Sequence, residues 1–540
     1  MTPAHDGRGD ERGDERGRRD GRGGPGGSRG PRGGERGGAR GGARGDDRSG
    51  SRGPSREGPG GQSPRRGVKQ DRYTRVDDAR QVAFAVLRAV DEEDAYANLV
   101  LPQLLRRRHL GGRDAAFATE LAYGVLRGRG TYDALLATVV DRPFSDLDPG
   151  VLDALRLGMH QLLAMRVPDH AAVATTVALA RGELGAGPAG LVNAVLRSAV
   201  GRELGPWLEE AAPPVGTDEG WAVRTSHPQW VVRALREALR AHGHDPDELG
   251  ELLAADNAPA AVALAALPGL AAPADLLSDD RALTVRPGRF SPTAALLERG
   301  DPGQVPAVRE ARARVQDEGS QLVAHLLAAA DVDGRDERWL DLCAGPGGKA
   351  ALLAATAVQR GAHLTAVEVA PHRADLVRSA LAAVPDGPLG PVEVRVGDGR
   401  EVGGDEPGTY DRVLVDAPCT GLGALRRRPE ARWRRTPADL GTLGPLQRAL
   451  LGSAVDALRP GGVVAYATCS PVLAETRLVV DDAVKAAAKR GVGLERLDTP
   501  AVLARVAPGV EHAAAGTAVQ LWPHTHGTDA MHVALLRRTS

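Results

Sequence analysis

The chain has 540 residues, a formal net charge of −1 and only three cysteines. Its hydrophobic content of 42% and charged content of 26% are typical of a globular protein, and the length predicts about three to four domains. Three cysteines exclude a disulfide framework, and the sequence has neither an apolar leader nor a run of about 18 uncharged apolar residues. We therefore expect a cytoplasmic protein without membrane contact.

Residues 1–72 are predicted to form a disordered tail rich in Arg and Gly. The first 70 residues hold 23 Gly and 17 basic residues against 10 acidic ones, so they bury too little apolar surface to offset their ordering entropy. Repeated Arg-Gly steps are typical of RNA-contacting tails, because a basic arm gains affinity by releasing counterions. A solvated extension without a binding role explains the same composition, and both interpretations stay open.

Residues 73–205 are predicted to form an all-α domain. Apolar residues recur at i, i+3 and i+4 spacing, and prolines and glycines separate the periodic stretches. The predicted helices cover residues 79–90, 95–107, 115–129, 132–140, 149–165, 171–184 and 190–200.

Residues 206–325 are predicted to form a linker and a small α+β module. The linker is the stretch 209–220, which is rich in proline, glycine and acidic residues, and residues 226–256 have a helical pattern. Short apolar or alternating runs at 261–267, 283–286 and 311–316 predict strands.

Residues 326–540 alternate between strand and helix patterns, which predicts an α/β domain with a doubly wound, mostly parallel, Rossmann-like sheet. The predicted strands are 338–342, 363–368, 392–396, 410–415, 462–468 and 531–537, and the predicted helices are 349–360, 371–384, 440–458 and 473–490.

A glycine-rich turn joins the first of these strands to its helix. The strand ends at Asp341, and Gly345, Gly347 and Gly348 precede Lys349. Glycines permit positive φ and close backbone approach, and a helix N-terminus favours negative groups. The spacing fits neither the P-loop nor G-x-G-x-x-G, so the turn indicates a nucleotide-like cofactor of another class, with an ordinary tight turn as the alternative.

Acidic residues follow three of the predicted strands. Glu368 ends the second strand, where a carboxylate can bind ribose hydroxyls, and Asp398 follows the third strand, where a carboxylate can reach an adenine amino group. Asp416 ends the fourth strand. Because the carboxyl ends of strands line the ligand crevice of an open α/β sheet, we predict that all three residues face a cofactor. Strand-end or turn-capping carboxylates are the alternative.

Two cysteines follow neighbouring predicted strands, Cys419 in a Pro-Cys step and Cys469 in a Thr-Cys-Ser step. Two thiols in a cofactor crevice could form a redox pair, a metal site or a nucleophilic site. The spacing is not C-x-x-C, and no matching histidine cluster is evident, so we predict no metal site and no metal role for His524 and His526.

Nucleophilic catalysis is the remaining interpretation. Cytosine C5 is a poor nucleophile, but a thiolate that adds to C6 makes C5 enamine-like and able to attack a methyl sulfonium. A carboxyl group on N3 would stabilise the charge that develops, and Asp416 is placed for this role if it is protonated or shares a proton with N3.

The segment of residues 426–435, called the arginine segment below, contains six arginines and one tryptophan. Arginines interleaved with an aromatic ring favour phosphate and base contacts, although a solvated charge run is the alternative. The predicted RNA-binding residues are Arg426, Arg427, Arg428, Arg432 and Trp433.

Together these motifs resemble the Sun-type RNA cytosine-C5 methyltransferases, and among them the bacterial small-subunit ribosomal RNA methyltransferase B group. The resemblance rests on the turn from Asp341 to Lys349, on the Asp-Ala-Pro-Cys motif from Asp416 to Cys419 and on the Ala-Thr-Cys-Ser motif around Cys469. The family usually has Ala at the position of Gly345. The helical residues 73–205 resemble NusB, an RNA-binding fold, and this pairing is typical of that group.

The resemblance implies S-adenosylmethionine as cofactor and RNA, most specifically 16S ribosomal RNA, as the partner. The sequence indicates no obligate protein partner, and a monomer is the default expectation. It implies that Cys469 is the nucleophile, that Cys419 resolves the covalent adduct and that Asp416 and Lys349 assist. DNA cytosine methyltransferases use a Pro-Cys nucleophile, which would give that role to Cys419, but the second thiol favours the RNA type. The implied cofactor-binding residues are Cys343, Ala344, Gly345, Pro346, Gly347, Gly348, Lys349, Glu368, Asp398 and Asp416.

Two rival functions are an RNA-binding ribosome-assembly factor with a vestigial methyltransferase domain and a Rossmann oxidoreductase. The intact cysteines and Asp416 disfavour the first, and the glycine spacing disfavours the second.

Overall fold

The computed structural model describes residues 77–540, so the tail predicted at residues 1–72 lies outside the described residues. A helical region comes first, and it begins where the sequence supplies a cap: the Asp77 side chain accepts a hydrogen bond from the backbone N–H of Arg80. Its helices are α1 (Asp78–Glu92), α2 (Ala97–Arg107), α3 (Gly112–Leu136), α4 (Pro149–Leu163), α5 (Asp169–Glu183) and α6 (Ala186–Ala199).

Helix α3 replaces two predicted helices, and the predicted break near residue 130 is wrong. Gly130 does not end the helix, which runs through it to Leu136. Its missing side chain instead makes room for another part of the chain. A Cβ atom at Gly130 would lie 2.5 Å from the ring of Trp433. The glycine therefore marks a close approach between the helical region and the arginine segment.

Four further helices follow, α7 (Leu204–Ala211), α8 (Asp218–Thr225), α9 (Gln229–Ala241) and α10 (Leu249–Asn257). The predicted linker at 209–220 is therefore shorter than expected, because α7 and α8 extend into both of its ends. Next comes an antiparallel sheet of five strands in the order β2-β3-β4-β1-β5. Its elements are β1 (Val262–Ala266), β2 (Ser278–Asp279), β3 (Thr284–Pro287), β4 (Ala294–Arg299), α11 (Pro306–Arg309) and β5 (Ala313–Val315). Strands β1, β3 and β5 match the three predicted runs, and β2 and β4 were not predicted.

The remaining residues alternate between helix and strand, and the predicted fold class is confirmed. The elements are α12 (Glu318–Ala329), β6 (Arg338–Asp341), α13 (Gly348–Gln359), β7 (His363–Glu368), α14 (Pro371–Leu381), β8 (Glu393–Val396), α15 (Val402–Asp405), β9 (Tyr410–Asp416), α16 (Ala431–Arg434), α17 (Pro437–Ala457), β10 (Leu458–Thr468), α18 (Arg477–Lys489), β11 (Leu494–Arg496), α19 (Thr499–Val506), β12 (Ala514–Ala515), β13 (Ala518–Gln520), α20 (Pro523–His526) and β14 (His532–Arg538).

These strands form a nine-stranded sheet in the order β12-β13-β14-β10-β9-β6-β7-β8, with β11 beside β14. The five strands from β10 to β8 are parallel, and β14 pairs antiparallel with β10. The strand order reverses between β6 and β9, since β7 and β8 lie on one side and β10 on the other. A crevice at such a switch point is the usual ligand site of an open α/β sheet.

Both faces of this sheet are covered. Leucine, alanine and valine side chains of α12 and α13 pack on one face, and those of α17 and α18 pack on the other. The parallel strands are therefore held rigidly, and their carboxyl ends provide fixed positions for side chains. Within residues 77–540, no helix combines the length and the apolarity that a membrane crossing requires.

Candidate active site at the carboxyl ends of the parallel strands

Three neighbouring parallel strands bring the predicted chemical groups to one edge of the sheet. β6 ends at Asp341 and β9 at Asp416, and Asp416 is paired in register with Ala467 of β10. Cys469 follows two residues beyond Ala467, at the end of the same strand. The crevice at the switch point therefore holds two carboxyl groups and a thiol.

The glycine turn between β6 and α13 is closed by the acid of the next strand. The buried Glu368 carboxylate accepts hydrogen bonds from the backbone N–H of Gly345 at 3.1 Å and of Ala370 at 3.0 Å. A Cβ atom at Gly345 would lie 2.2 Å from Glu368 Oε2, so the missing side chain lets the carboxylate approach the turn. Arg373 donates to the carbonyl of Gly345 at 2.7 Å and covers the turn from outside.

Asp398 lies in the loop that follows β8. Its carboxylate is paired with the guanidinium of Arg400, and it also accepts the backbone N–H of Arg400 at 2.9 Å. The structure thus places Asp398 at a strand end, as predicted. A ligand that contacted it would compete with Arg400.

Two buried polar groups beside the turn lack partners within the described chain. Oδ2 of Asp341 makes no hydrogen bond, and burial, reinforced by the nearby Asp416, raises the pKa of Asp341 to about 7. Both amide atoms of the buried Gln316 side chain are also unpaired, and its Cδ would lie 3.6 Å from a Cβ at Gly348. Buried polar atoms are rarely left unsatisfied, so these groups fit a polar ligand held against the glycine turn. Gln316 is not among the site residues predicted from the sequence.

Lys349 and Asp416 form an ion pair inside the crevice. Lys349 Nζ donates to Asp416 Oδ2 at 2.9 Å, and the lysine side chain is only 12% exposed. Burial alone would lower the pKa of Lys349, but the Asp416 carboxylate outweighs burial and raises it. The ammonium group therefore stays charged and fixes the Asp416 carboxylate.

The two cysteines face each other, with 3.4 Å between Cys419 Sγ and Cys469 Sγ. The hydrogen bond from Cys419 and the positive charge of Lys349 lower the pKa of the Cys469 thiol, against the opposing effects of burial and Asp416. The same hydrogen bond and burial raise the pKa of Cys419. The pair is therefore polarised, with Cys469 favoured as thiolate and Cys419 as its S–H donor.

The third cysteine has a different environment. Burial, with Asp341 nearby, raises the pKa of the Cys343 thiol well above its ordinary value. Its backbone N–H donates to Asp341 Oδ1 at 3.2 Å. Cys343 therefore belongs to the glycine turn, and its environment disfavours the thiolate.

A buried glutamate that the sequence did not predict holds the Cys419 loop. Glu475, in the turn after β10, accepts the backbone N–H of Thr420 at 2.7 Å and the Thr420 hydroxyl at 2.5 Å. Gln447 of α17 donates to the Pro418 carbonyl at 2.8 Å and to Glu475 at 3.2 Å. This network fixes the position of Cys419 relative to Cys469. Glu475 lies six residues after Cys469, but nothing in the sequence pattern indicates that its side chain turns back to Thr420.

The arginine segment does not form the open RNA surface predicted for it. Arg432 is fully buried, and its guanidinium donates to the carbonyls of Ser226 and Asp256 and, at 2.8 Å, to the side chain of Asn257. Burial lowers the pKa of Arg432 to about 10, although Asp256 opposes this. The predicted RNA contact is wrong for Arg432, because its polar atoms point into the protein.

Arg426 and Arg427 also bond inside the protein. Arg426 is buried and donates to the carbonyl of Gly527 at 3.0 Å. Arg427 bridges two buried carboxylates, Asp317 at 2.6 Å and Asp529 at 3.0 Å. These contacts connect the loop after Cys419 to the start of α12 and to the loop before β14. The predicted RNA contact does not fit the buried Arg426, and for the partly exposed Arg427 it stays a prediction.

The end of the arginine segment contacts the helical region. The Trp433 ring packs against Gly130 of α3, which is a protein contact in place of the predicted base stacking. Arg434 donates to the carbonyls of Val90 and Ala95. Of the five predicted RNA-binding residues, Arg428 alone has an exposed side chain, which lies 5.0 Å from the ring of Tyr96. Arg428 remains a predicted RNA contact.

Comparison with known proteins gives the family. The profile of the family described as 16S rRNA methyltransferase RsmB/F matches residues 329–537, and that of the NusB family matches residues 77–200. The chain is 33% identical over 432 residues to the ribosomal RNA small subunit methyltransferase B of Pseudomonas putida, covering 78% of this chain and 91% of that protein. This chain belongs to the RsmB/F family of ribosomal RNA methyltransferases.

Another relative is more similar in sequence. A Mycobacterium tuberculosis protein, named provisionally as a methyltransferase, is 52% identical over 465 residues, which cover 86% of this chain and 97% of that protein. The crystal structure titled PH0851 shares the fold with a TM-score of 0.68 at 19% identity, covering 86% of this chain and 99% of that one. As a member of the RsmB/F family, the protein is an S-adenosylmethionine-dependent RNA methyltransferase with a NusB domain.

Proposed function

We propose that the protein methylates C5 of a cytosine in 16S small-subunit ribosomal RNA through a covalent adduct between Cys469 and C6 of the base. The observation that carries this proposal is the polarised thiol pair, with Cys469 and Cys419 3.4 Å apart at the end of the parallel sheet. A methyltransferase that acted on an exocyclic nitrogen or on a ribose hydroxyl would have no use for two thiols in this position.

Cys469 supplies the nucleophile. Its lowered pKa increases the thiolate fraction, and the thiolate adds to C6 to form a carbon–sulfur bond. Asp416, held by Lys349 at 2.9 Å, faces N3 of the cytosine and shares a proton with it, and this proton offsets the negative charge that addition to C6 creates in the ring. The target base has to leave its stack to reach the thiolate, and its unstacking costs a few kcal/mol.

The cofactor supplies an electrophilic methyl group, which the enamine-like C5 takes up. The proposed S-adenosylmethionine site is the glycine turn from Cys343 to Lys349, with Glu368, Asp398 and Asp416 at the neighbouring strand ends and the unpaired Gln316 amide beside Gly348. The backbone N–H groups at the start of α13 and the carboxylates together suit a ligand with a carboxylate, ribose hydroxyls and a cationic centre.

Cys419 completes the cycle. After methyl transfer, water takes the proton from C5, the C5–C6 double bond is restored, and the carbon–sulfur bond breaks so that Cys469 departs as thiolate, to which the Cys419 S–H donates again. Cys419 is next to the departing sulfur, and Glu475 fixes its loop through the Thr420 hydrogen bonds. We assign to Cys419 the resolution of the adduct, so loss of its thiol should leave the RNA attached.

The direct test uses the full-length protein, labelled S-adenosylmethionine and 16S ribosomal RNA, either free or in small subunits, followed by nucleoside mass spectrometry. The proposal predicts 5-methylcytidine in the RNA, no product with Cys469→Ala, and an unchanged rate with His372→Ala, which alters an exposed histidine on α14. The expected loss for Cys469→Ala is about 10⁴-fold or more, the scale of removing a catalytic nucleophile. Labelled N4-methylcytidine, or wild-type activity of Cys469→Ala, would contradict it.

The competing function is that of an RNA-binding assembly factor with an inactive methyltransferase domain. It predicts RNA binding by the wild-type protein without methyl transfer to any form of the RNA. The ion pair of Lys349 with Asp416 and the polarised thiols favour the enzyme, because an inactive domain needs neither.

A further inference from the structure

Three potential metal ligands meet outside the methyltransferase crevice, next to the buried ring of Trp522. His244 Nδ1 lies 3.0 Å from Glu248 Oε2, and His524 Nε2 lies 2.9 Å from the same oxygen. One ligand atom from each of the three residues lies within 4.8 Å of the other two. Glu248 and His524 are 276 positions apart in sequence, which is why sequence reasoning, seeing no histidine cluster, predicted no metal role for His524.

The carboxylate is held in place by its own backbone. Glu248 Oε1 accepts the backbone N–H of Asp245 at 3.0 Å, and this capping interaction leaves Oε2 directed at the two imidazoles. Metal-binding carboxylates are commonly fixed in this way by a second hydrogen bond. The arrangement thus exists before any ion binds.

The two imidazoles are held by one aromatic ring. Trp522 is fully buried and makes edge contacts with His244 and His524, at ring-centroid distances of 5.3 and 5.9 Å. His244 is 12% exposed and His524 5% exposed, whereas Glu248 is 31% exposed. The apolar wall excludes water on one side, and the Glu248 side stays open to solvent.

We propose that His244, Glu248 and His524 bind a divalent transition-metal ion of the zinc class, with water as the fourth ligand. Two imidazoles and one carboxylate are a donor set for zinc, and they disfavour magnesium and calcium, which prefer oxygen ligands. The nitrogen-to-oxygen distances near 3 Å are close to the spacing of about 3.3 Å between tetrahedral ligands that lie about 2.0–2.1 Å from zinc. When the ion binds, it takes the place of the two hydrogen bonds between the imidazoles and Glu248 Oε2. His244 Nδ1, His524 Nε2 and Glu248 Oε2 then each contact the ion.

The ion would connect two parts of the chain near the Cys419 loop. His244 and Glu248 lie between α9 and α10, and His524 belongs to α20. Immediately after α20, the Gly527 carbonyl accepts from Arg426 and the Asp529 carboxylate from Arg427. The metal site would therefore be structural, since it stabilises the segment on which the arginine segment rests.

His526 serves as an internal comparison, because it lies close in sequence but outside the site. Its Nδ1 accepts the backbone N–H of Trp522 at 2.9 Å, and its Nε2 lies 2.8 Å from the carbonyl of Glu511. Both nitrogens thus have backbone partners, and His526 is not available as a fourth ligand.

The test uses the full-length protein, stripped with a chelator and then titrated with Zn²⁺ and with Co²⁺. We expect one zinc per chain by elemental analysis, a four-coordinate cobalt absorption spectrum and a higher thermal midpoint with zinc. Three variants each remove one proposed ligand: His244→Ala, His524→Ala and Glu248→Gln. Loss of an outer-shell partner weakens metal binding by about 10–100-fold, and we expect each of these variants to weaken zinc binding by more than that. His372→Ala should bind as the wild type does.

The thiol pair is the other place where zinc could bind, and one more variant separates the two. The double variant Cys419→Ala/Cys469→Ala should keep its zinc and its cobalt spectrum. Loss of the metal in this variant would overturn the proposal, as would a wild-type chain that retains no zinc after gel filtration. Unchanged zinc binding by His244→Ala and His524→Ala would also overturn it, by showing that the three side chains form only a hydrogen-bonded triad. None of these readouts depends on methyl transfer.

Discussion

The crevice and the arginine segment are neighbours in the chain, and both are rich in groups that sequence reasoning assigned to function. In the crevice, Lys349 contacts Asp416 and Cys419 contacts Cys469, and buried atoms of Asp341 and Gln316 have no partner within the described chain. In the arginine segment, the guanidinium of Arg432 is buried and bonded to three groups of the protein. The crevice therefore has polar groups that are available to a ligand, whereas the polar groups of the arginine segment form hydrogen bonds within the protein.

This difference shows what separates a reactive site from a structural one of similar composition. A guanidinium has five donors in a planar fork, so a single arginine can join several carbonyls from distant segments. Arg432 does this for the segment around Ser226 and the end of α10, and Arg434 does it for the segment between α1 and α2. A thiol pair and a lysine–aspartate pair make few hydrogen bonds to distant segments. Their polar atoms therefore contribute less to holding the fold together and are available to react with a ligand.

The comparison is tested most strongly by removing the buried guanidinium. Arg432→Ala should lower the apparent free energy of the first unfolding transition by about 3–5 kcal/mol, because it leaves buried acceptors without a donor. Chemical denaturation followed by tryptophan fluorescence measures this. The matched control is Arg428→Ala, whose exposed contact with Tyr96 should cost about 0.5–1 kcal/mol. Equal effects of the two substitutions would contradict a structural role for Arg432.

A second substitution tests whether the buried Glu475 carboxylate holds the Cys419 loop in place. Glu475→Gln should destabilise the protein by about 1.5–3 kcal/mol, the value of a hydrogen bond to a charged group, because the hydrogen bonds to Thr420 are weakened. It should also reduce kcat more than it raises KM, since the Cys419 loop would no longer be fixed. Glu393→Gln, at an exposed pair with Arg395, is the control and should change stability by less than about 1 kcal/mol. A stability loss with an unchanged kcat would show that Glu475 does not position Cys419.

The smallest expected effect concerns the reactivity of the thiol. Alkylation of Cys469 by iodoacetamide should accelerate with pH around a midpoint below the ordinary cysteine value of about 8.5, because the Cys419 hydrogen bond and the Lys349 charge lower its pKa. Removing either partner raises this pKa, so Lys349→Met and Cys419→Ala should each move the midpoint to higher pH. Mass spectrometry of the alkylated peptides separates Cys469 from the other thiols.

Lys485→Met, on the exposed face of α18, is the matched control for that titration and should leave the midpoint unchanged. A midpoint that moved to lower pH in Lys349→Met would contradict the polarity assigned to the crevice.

Much of this architecture can be predicted from the sequence, because the signals are local. Strand β7 lies at the predicted residues 363–368, since a buried parallel strand is a short apolar run that ends at a polar residue. The convergence of Asp341, Asp416 and Cys469 follows from the rule that parallel strands end at the same edge of the sheet. Local patterns thus predict which elements form and where their ends meet.

Contacts between distant segments could not be predicted in this way. The arginine segment has the composition of an RNA surface, and only the packing of Trp433 against Gly130 shows that it turns inward. The sequence pattern also predicts a helix break at Gly130. The glycine instead makes room for a tertiary contact, which a local pattern does not reveal. The reach of Glu475 to Thr420 and of His524 to Glu248 depends on loop paths that no periodicity encodes.

The most direct test of the central claim is to trap the proposed adduct. Cys419→Ala, incubated with S-adenosylmethionine and 16S ribosomal RNA, should accumulate RNA that stays attached to the protein under denaturing electrophoresis, with the cross-link on Cys469 in the digested peptide. The double variant Cys419→Ala/Cys469→Ala should show no attached RNA. An adduct that forms in Cys469→Ala and is carried by Cys419 would contradict the assignment and reverse the roles of the two thiols.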